Sequence, residues 1–229
     1  MNIPLFDIDW TLLAGGSKLH RDLLDQTFNT VYGVANASIQ EIEPNGMITT
    51  QVIIEVLRLH EITEECALER MAEAIKAIEN YFVEHEEEDE CLLMPGAYEL
   101  LSELKERHVP LGLLTGNVEG VAWRRITKAG LREFFDFGAF GDLAYKRVDL
   151  IPIARQRARE QCNIDAPLAD FVIIGDSPLD VACAKAMGIS SIAVGAGVFS
   201  SEALMATEAD LVVGSLQERQ KILSFLKLA

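Results

Sequence analysis

Positive charge is scarce in this 229-residue chain: 20 Lys and Arg stand against 36 Asp and Glu, a formal charge of −16. A surface of that sign repels nucleic acid and anionic lipid at long range, so neither is an expected partner. It repels a phosphorylated small molecule as well, so such a substrate would need a bound cation and local basic groups at its site. Long apolar runs are also missing: no stretch reaches the 18 or so residues of a membrane span. The first residues carry neither a basic segment nor a cleavage-type run of small residues, so no signal peptide is expected. Cysteine is limited to Cys66, Cys91, Cys162 and Cys183, with no CxxC spacing. Reduced thiols and a cytoplasmic location are therefore expected, not disulfides or zinc. GxSxG, GxxxxGK[ST] and a GxGxxG after a strand are absent, which excludes serine-hydrolase, P-loop and dinucleotide readings. The four histidines (His20, His60, His85, His108) have no ligand spacing and read as surface or structural.

Three short polar motifs, each ending an apolar run, are what the chain does have. Phe6-Asp7-Ile8-Asp9-Trp10-Thr11 follows Ile3-Pro4-Leu5, Thr115-Gly116-Asn117 follows Leu113-Leu114, and Gly175-Asp176-Ser177 follows Val172-Ile173-Ile174. In an open α/β sheet, ligands bind outside the carboxyl ends of the strands. Three polar tips on buried strands would meet there, bringing together carboxylates, a hydroxyl and free backbone amides. That equipment suits magnesium-dependent phosphoryl transfer with a carboxylate nucleophile.

Composition is ordinary globular material, 49% hydrophobic and 24% charged, long enough for one large domain or one with an insert. After a first strand over 3–9, the texture from 17 to 87 is helical: Leu23, Leu24, Phe28 and Val31, then Val52, Ile53, Val56 and Leu57, then Leu68, Met71, Ile75 and Ile78 recur at helical spacing. Pro44-Asn45-Gly46 marks a turn inside this segment. The acidic run Glu84 to Glu90 reads as a solvated connector. From Met94-Pro95-Gly96 onward, strands are expected over 110–114, 135–140, 170–174, 191–194 and 211–213. Helices are expected over 97–107, 118–129, 150–162, 179–187 and 217–226. Alternating β and α units predict a Rossmann-like, doubly wound parallel sheet of the α/β class. The expected division is an α/β core of 1–16 and 88–229 with a helical cap of 17–87.

At the site, one of the two neighbouring carboxylates Asp7 and Asp9 can attack phosphorus, while the other protonates the leaving oxygen and then activates water. Asp7 and Asp176, with a backbone carbonyl of Asp9, could supply a magnesium shell. Thr115 adds a hydroxyl donor, Gly116 permits close approach of the backbone, and Asn117 reads as a helix N-cap beside a phosphate cradle. Ser177, Pro178 and Asp180 form a capping-box pattern, a structural role for Asp180. Lys146 and Arg147 are each within reach as the cation.

The order FDIDWT, LLTGN, a Lys/Arg segment and IIGDSPLD resembles the haloacid dehalogenase-like hydrolase superfamily, and Met94-Pro95-Gly96 with the Gly46 turn resembles its phosphoglycolate phosphatase-type branch. The resemblance implies Asp7 as nucleophile, Asp9 as acid/base, Thr115 as phosphate binder, Lys146 or Arg147 as stabilising cation, Asp176 as magnesium ligand and Asp180 as the supporting acid. Ile8, Trp10, Gly116 and Asn117 are the further candidates for contact with substrate. Trp10 stands where that family usually has glycine, and Gly46-Met47-Ile48-Thr49 replaces a more polar cap turn. The expected activity is a Mg2+-dependent phosphatase acting on a small phosphorylated metabolite, as a monomer or homodimer. The alternatives are a sugar phosphomutase of the same fold and a non-catalytic phosphate-binding protein.

Overall fold

The computed structural model describes residues 2–228. In chain order the elements are β1 (Ile3–Phe6), α1 (Lys18–Tyr32), α2 (Thr49–Leu59), α3 (Glu64–Glu69), α4 (Met71–His85), α5 (Ala97–Glu106), β2 (Gly112–Leu114), α6 (Glu119–Lys128), β3 (Phe137–Ala139), α7 (Leu150–Cys162), β4 (Phe171–Gly175), α8 (Pro178–Met187), β5 (Ser190–Val194), α9 (Ser201–Met205), β6 (Leu211–Val213) and α10 (Arg219–Phe225). The six strands form one sheet in the order β3-β2-β1-β4-β5-β6, with every neighbouring pair parallel. Among the described residues no helix is long and apolar enough to cross a membrane.

Alternation along each strand divides the core in two. Ile3, Leu5, Leu114, Phe137 and Ile173 face α7 and α8 on one side. Phe6, Leu113, Val172, Ile174 and Ile192 face α5, α6 and α10 on the other. A strand covered on both faces is apolar throughout, which is why the sequence shows runs rather than alternation. Helices α1 to α4 bury a separate core of Leu23, Phe28, Ile53, Leu57, Ile78 and Phe82, joined by Val118 and Val121 at the start of α6. This helical segment leaves the sheet after β1 and returns before α5.

Some boundaries differ from the sequence reading. β1 stops at Phe6, not Asp9, because the chain folds back on itself: the amides of Leu12 and Leu13 bond Ile8 O, and Trp10 N bonds Leu13 O. The position of Asp9 is therefore set by this loop, while Asp7 is still tied to β4 through its amide. β3 covers only Phe137–Ala139, and the last helix begins after a 3-10 turn at Leu216–Glu218. The acidic run is not wholly solvated: Asp89 within it is 3% exposed.

Candidate active site

From β1 the chain passes outward to β2 and β3, then crosses back to β4 on the other flank of β1. The carboxyl ends of β1 and β4 thus flank a topological switch point, the place where such sheets bind ligands. Asp7 lies one residue past β1, with its amide still bonded to Ile174 O at 2.9 Å. Asp176 lies one residue past β4, and Asp180 lies in the first turn of α8. One carboxylate oxygen from each of Asp7, Asp176 and Asp180 falls within 4.8 Å of the others, and all three residues are buried.

Among the described residues, a single guanidinium faces these acids. Arg147 Nη2 is 2.5 Å from Asp180 Oδ1 and 3.3 Å from Asp7 Oδ2. Its Nη1 donates to Gly46 O at 3.1 Å. Lys146, its neighbour, is exposed. Of the two candidate cations, the structure turns Arg147 inward, because the 3-10 turn Arg147–Asp149 opens with that residue on the buried side. Asp180 is also the N3 residue of the capping box: its Oδ2 accepts from Ser177 N and Oγ, and its own amide donates to Ser177 Oγ. Asp176 takes no hydrogen bond or ion pair among the described residues. Burial raises the Asp7 carboxyl to about 7, with Asp180 and Asp9 pushing the same way and Arg147 opposing. Burial raises Asp176 to about 8, reinforced by Asp7 and Asp180. Three crowded acids with one cation leave negative charge uncompensated. A divalent ion fits this oxygen-only set, and Asp7 and Asp176 are the residues left to hold it.

Asp9 belongs to a second cluster. Its Oδ2 accepts from Asn117 Nδ2 at 2.7 Å and its Oδ1 from Arg125 Nη1 at 2.9 Å. Arg125, fully buried, also donates through Nε to Asp89 Oδ2 at 2.8 Å. Burial pushes the Asp9 carboxyl up, but Arg125, His20 and Asn117 outweigh it and hold it below the usual range. Asp89 is likewise held low: Arg125 and the Cys91 amide overcome its burial. Asn117 also donates to Thr115 Oγ1 at 3.0 Å and meets His20 Nε2 at 2.9 Å. Asn117 is therefore not a helix cap. Val118 fills that position without a side-chain bond, and the Glu119 amide is met by Asp142.

A cavity of about 330 Å³ opens over both clusters, with Asp7, Asp9, Asp176, Arg147, Gly116 and Asn117 at its acidic end. Ile8 and Thr115 are fully buried and do not line it. The helical segment closes the other side. Gly46, at φ +81°, sits on Ser177 so closely that a Cβ would come 2.5 Å from Ser177 Oγ. The start of α2 is tied down by Thr49 N and Oγ1 donating to Gly116 O at 2.9 and 2.7 Å, and by Thr50 Oγ1 donating to Ala144 O.

The sequence reading missed Arg125, Asp89 and His20 at this site. Arg125 had a signal: it shares the buried face of α6 with Val121, Ala122 and Ile126, and an arginine on an apolar stripe calls for a buried acid. Asp89 was hidden in the acidic run, and His20 has no local signature.

The profile of the haloacid dehalogenase-like hydrolases matches residues 4–194. A phosphoglycolate phosphatase of Neisseria meningitidis is 34% identical over 122 residues, 52% of this chain and 50% of that protein. The chain spans about half the length of the curated relatives it matches. The crystal structure of a predicted phosphatase from Clostridium acetobutylicum superposes with a TM-score of 0.71 at 24% identity, covering 97% of this chain and 98% of that one. That of CbbY from Rhodobacter sphaeroides in complex with phosphate gives 0.70 at 24% identity, covering 95% and 96%. At such identities these two structures support the fold alone.

Proposed function

The chain belongs to the haloacid dehalogenase-like hydrolase family, and on that premise we propose that it is a phosphatase of small phosphorylated metabolites, working through an aspartyl-phosphate on Asp7 with Mg2+ as cofactor. The observation that carries this reading is the acid surplus at the switch point: three carboxylates within 4.8 Å facing one guanidinium. Asp7 and Asp176 would hold the ion, with Asp180 behind them. When bound, the ion neutralises charge on the nucleophile and the phosphoryl oxygens.

Asp7 attacks phosphorus, the bond from phosphorus to the ester oxygen breaks, and Asp9 passes a proton taken up from solvent water to that oxygen to complete the alcohol. Asp9 then takes a proton from water as that water attacks the phosphoryl group, which releases phosphate and restores Asp7. The form of Asp9 held by Arg125 and Asn117 is the deprotonated one, suited to this second half. Arg147 anchors Asp180 and faces Asp7, so it holds the nucleophile in place and offsets part of its charge. The Gly116–Asn117 loop presents backbone at the acidic end, and the buried Thr115 shapes that loop by accepting from Asn117. We take residues 17–87 as a cap that shuts bulk water out of the cavity.

The test is turnover of a panel of phosphate esters with magnesium, with chelator, and with Asp7→Asn. Hydrolysis that needs the metal and falls by about a thousandfold or more in the variant supports the reading. Chelator-insensitive hydrolysis, or an active Asp7→Asn protein, rejects it.

A further inference from the structure

Trp10 has no part in the chemistry above, yet the fold is built around it. Its φ is +58°, a left-handed conformation in which a bulky side chain is a genuine outlier and which persists only where the surroundings hold it. Gly15, Gly16 and Gly197 make the room. A Cβ on Gly15 would come 2.6 Å from Trp10 Nε1, one on Gly197 2.5 Å from Trp10 Cβ, and one on Gly16 3.3 Å from Trp10 Cζ2. Strained residues with this much accommodation cluster at ligand-contacting places. Trp10 is only half-buried, and it lines the cavity beside Asp7 and Asp176.

The cavity wall contributed by the helical segment is rich in carbon. Leu24, Ile42, Met47 and Val52 line it. Ser17 and Thr49, two of the polar side chains there, are already bonded within the protein. Ser17 Oγ is engaged by the amide and Nδ1 of His20, and Arg21 and Gln40 are exposed at the mouth. Each sugar hydroxyl taken from water without a partner loses affinity. The cavity, about 330 Å³, falls at the lower end of the range that encloses drug-sized ligands. That is more room than a phosphorylated two-carbon acid fills.

We propose that Trp10 is a specificity-determining residue whose indole, which lines the same cavity as Leu24, Ile42, Met47 and Val52, binds a flat apolar body on the substrate. The preferred substrate class is then a phosphomonoester of an aromatic alcohol. This rests on the phosphatase reading of the same site.

The experiment compares benzyl phosphate, phosphoglycolate and glucose 6-phosphate in the magnesium-loaded protein, in Trp10→Gly and in Trp10→Phe. All three esters release an alkyl oxygen, so their ranking reports binding of the body and not leaving-group chemistry. The expected result is benzyl phosphate first in kcat/KM. Its advantage should shrink about tenfold in Trp10→Gly, mainly through KM, and should be retained in Trp10→Phe. Phosphoglycolate or the sugar phosphate ranking first, or an unchanged ranking in Trp10→Gly, overturns the proposal. If no ester is hydrolysed, the phosphatase reading falls and fluorescence decides the inference. Trp123, the other tryptophan, packs on Phe140 under Arg132 and does not line the cavity. A saturable change in emission with benzyl phosphate that disappears in Trp10→Gly supports an aromatic site at Trp10, and no change in the parent protein rejects it.

Discussion

Two buried arginines each hold a pair of acids in this molecule, and their surroundings differ by one further acid. Arg147 serves Asp7 and Asp180, while Asp176 next to them takes no side-chain bond among the described residues. Arg125 serves Asp9 and Asp89, and Asn117 adds a donor to Asp9. In the first group the carboxyls of Asp7 and Asp176 rise to about 7 and about 8. In the second, both acids are held below their usual range. The same side-chain types therefore yield a cluster whose acids retain protons in one case and a strut whose acids stay ionised in the other. What separates them is the count of acids per guanidinium. The strut has a place in the architecture too. Asp9 lies on the outgoing connector to the helical segment and Asp89 on the returning one, so Arg125 ties both connectors to α6.

The largest expected effect strikes the strut. Arg125→Met leaves two buried acids without their cation, and breaking a buried pair this way costs about 3–5 kcal/mol. Calorimetry should show a melting temperature lower by roughly 10 °C. A near-unchanged melting temperature would erase the distinction between the clusters. A smaller but more pointed contrast comes from removing an acid from each. Asp89→Asn should destabilise by about 1–3 kcal/mol, because Arg125 loses a charged partner. Asp176→Asn should leave metal-free stability unchanged or raise it, because it relieves repulsion. Equal signs in denaturant melts would contradict the account.

Much of this arrangement was legible in the sequence, and the parts that were not have physical reasons. Val172-Ile173-Ile174 announces a strand buried on both faces, and the acid after it announces a site, because strand ends are where buried backbone meets ligands. Helices α1, α2 and α4 follow from apolar spacing. Local patterns carry no information about pairing over long distances, so Arg125 with Asp89 and Asp9, 36 and 116 residues apart, stayed hidden. The choice between Lys146 and Arg147 depends on the phase of one 3-10 turn, which adjacent residues of the same charge cannot reveal. Asn117 looks like a cap from sequence because caps and site residues draw on the same polar types at the start of a helix.

The comparison also fixes a pH signature. Asp7 and Asp176 have raised carboxyls, so between about pH 4 and about pH 8 the folded protein holds protons that the unfolded chain has released. Metal-free stability should therefore fall as pH rises through that window. Asp9 and Asp89 act with the opposite sign. Their stabilisation is in place above the usual carboxylate range and is lost as pH drops through their lowered values. Melting temperatures in chelator at about pH 5 and about pH 8 measure the first slope, and magnesium should flatten it. The least effect is expected at the exposed Lys146: Lys146→Ala should change stability by no more than about 0.5 kcal/mol in a denaturant melt. Turnover should stay near the parent value, whereas a large loss would return Lys146 to the site.

The most direct measurement is mass spectrometry of protein quenched in acid during turnover of a phosphate ester with magnesium. The account predicts one added phosphoryl group on the peptide that contains Asp7, removed by hydroxylamine and absent from Asp7→Asn. Turnover with the phosphoryl group on any other residue would contradict it.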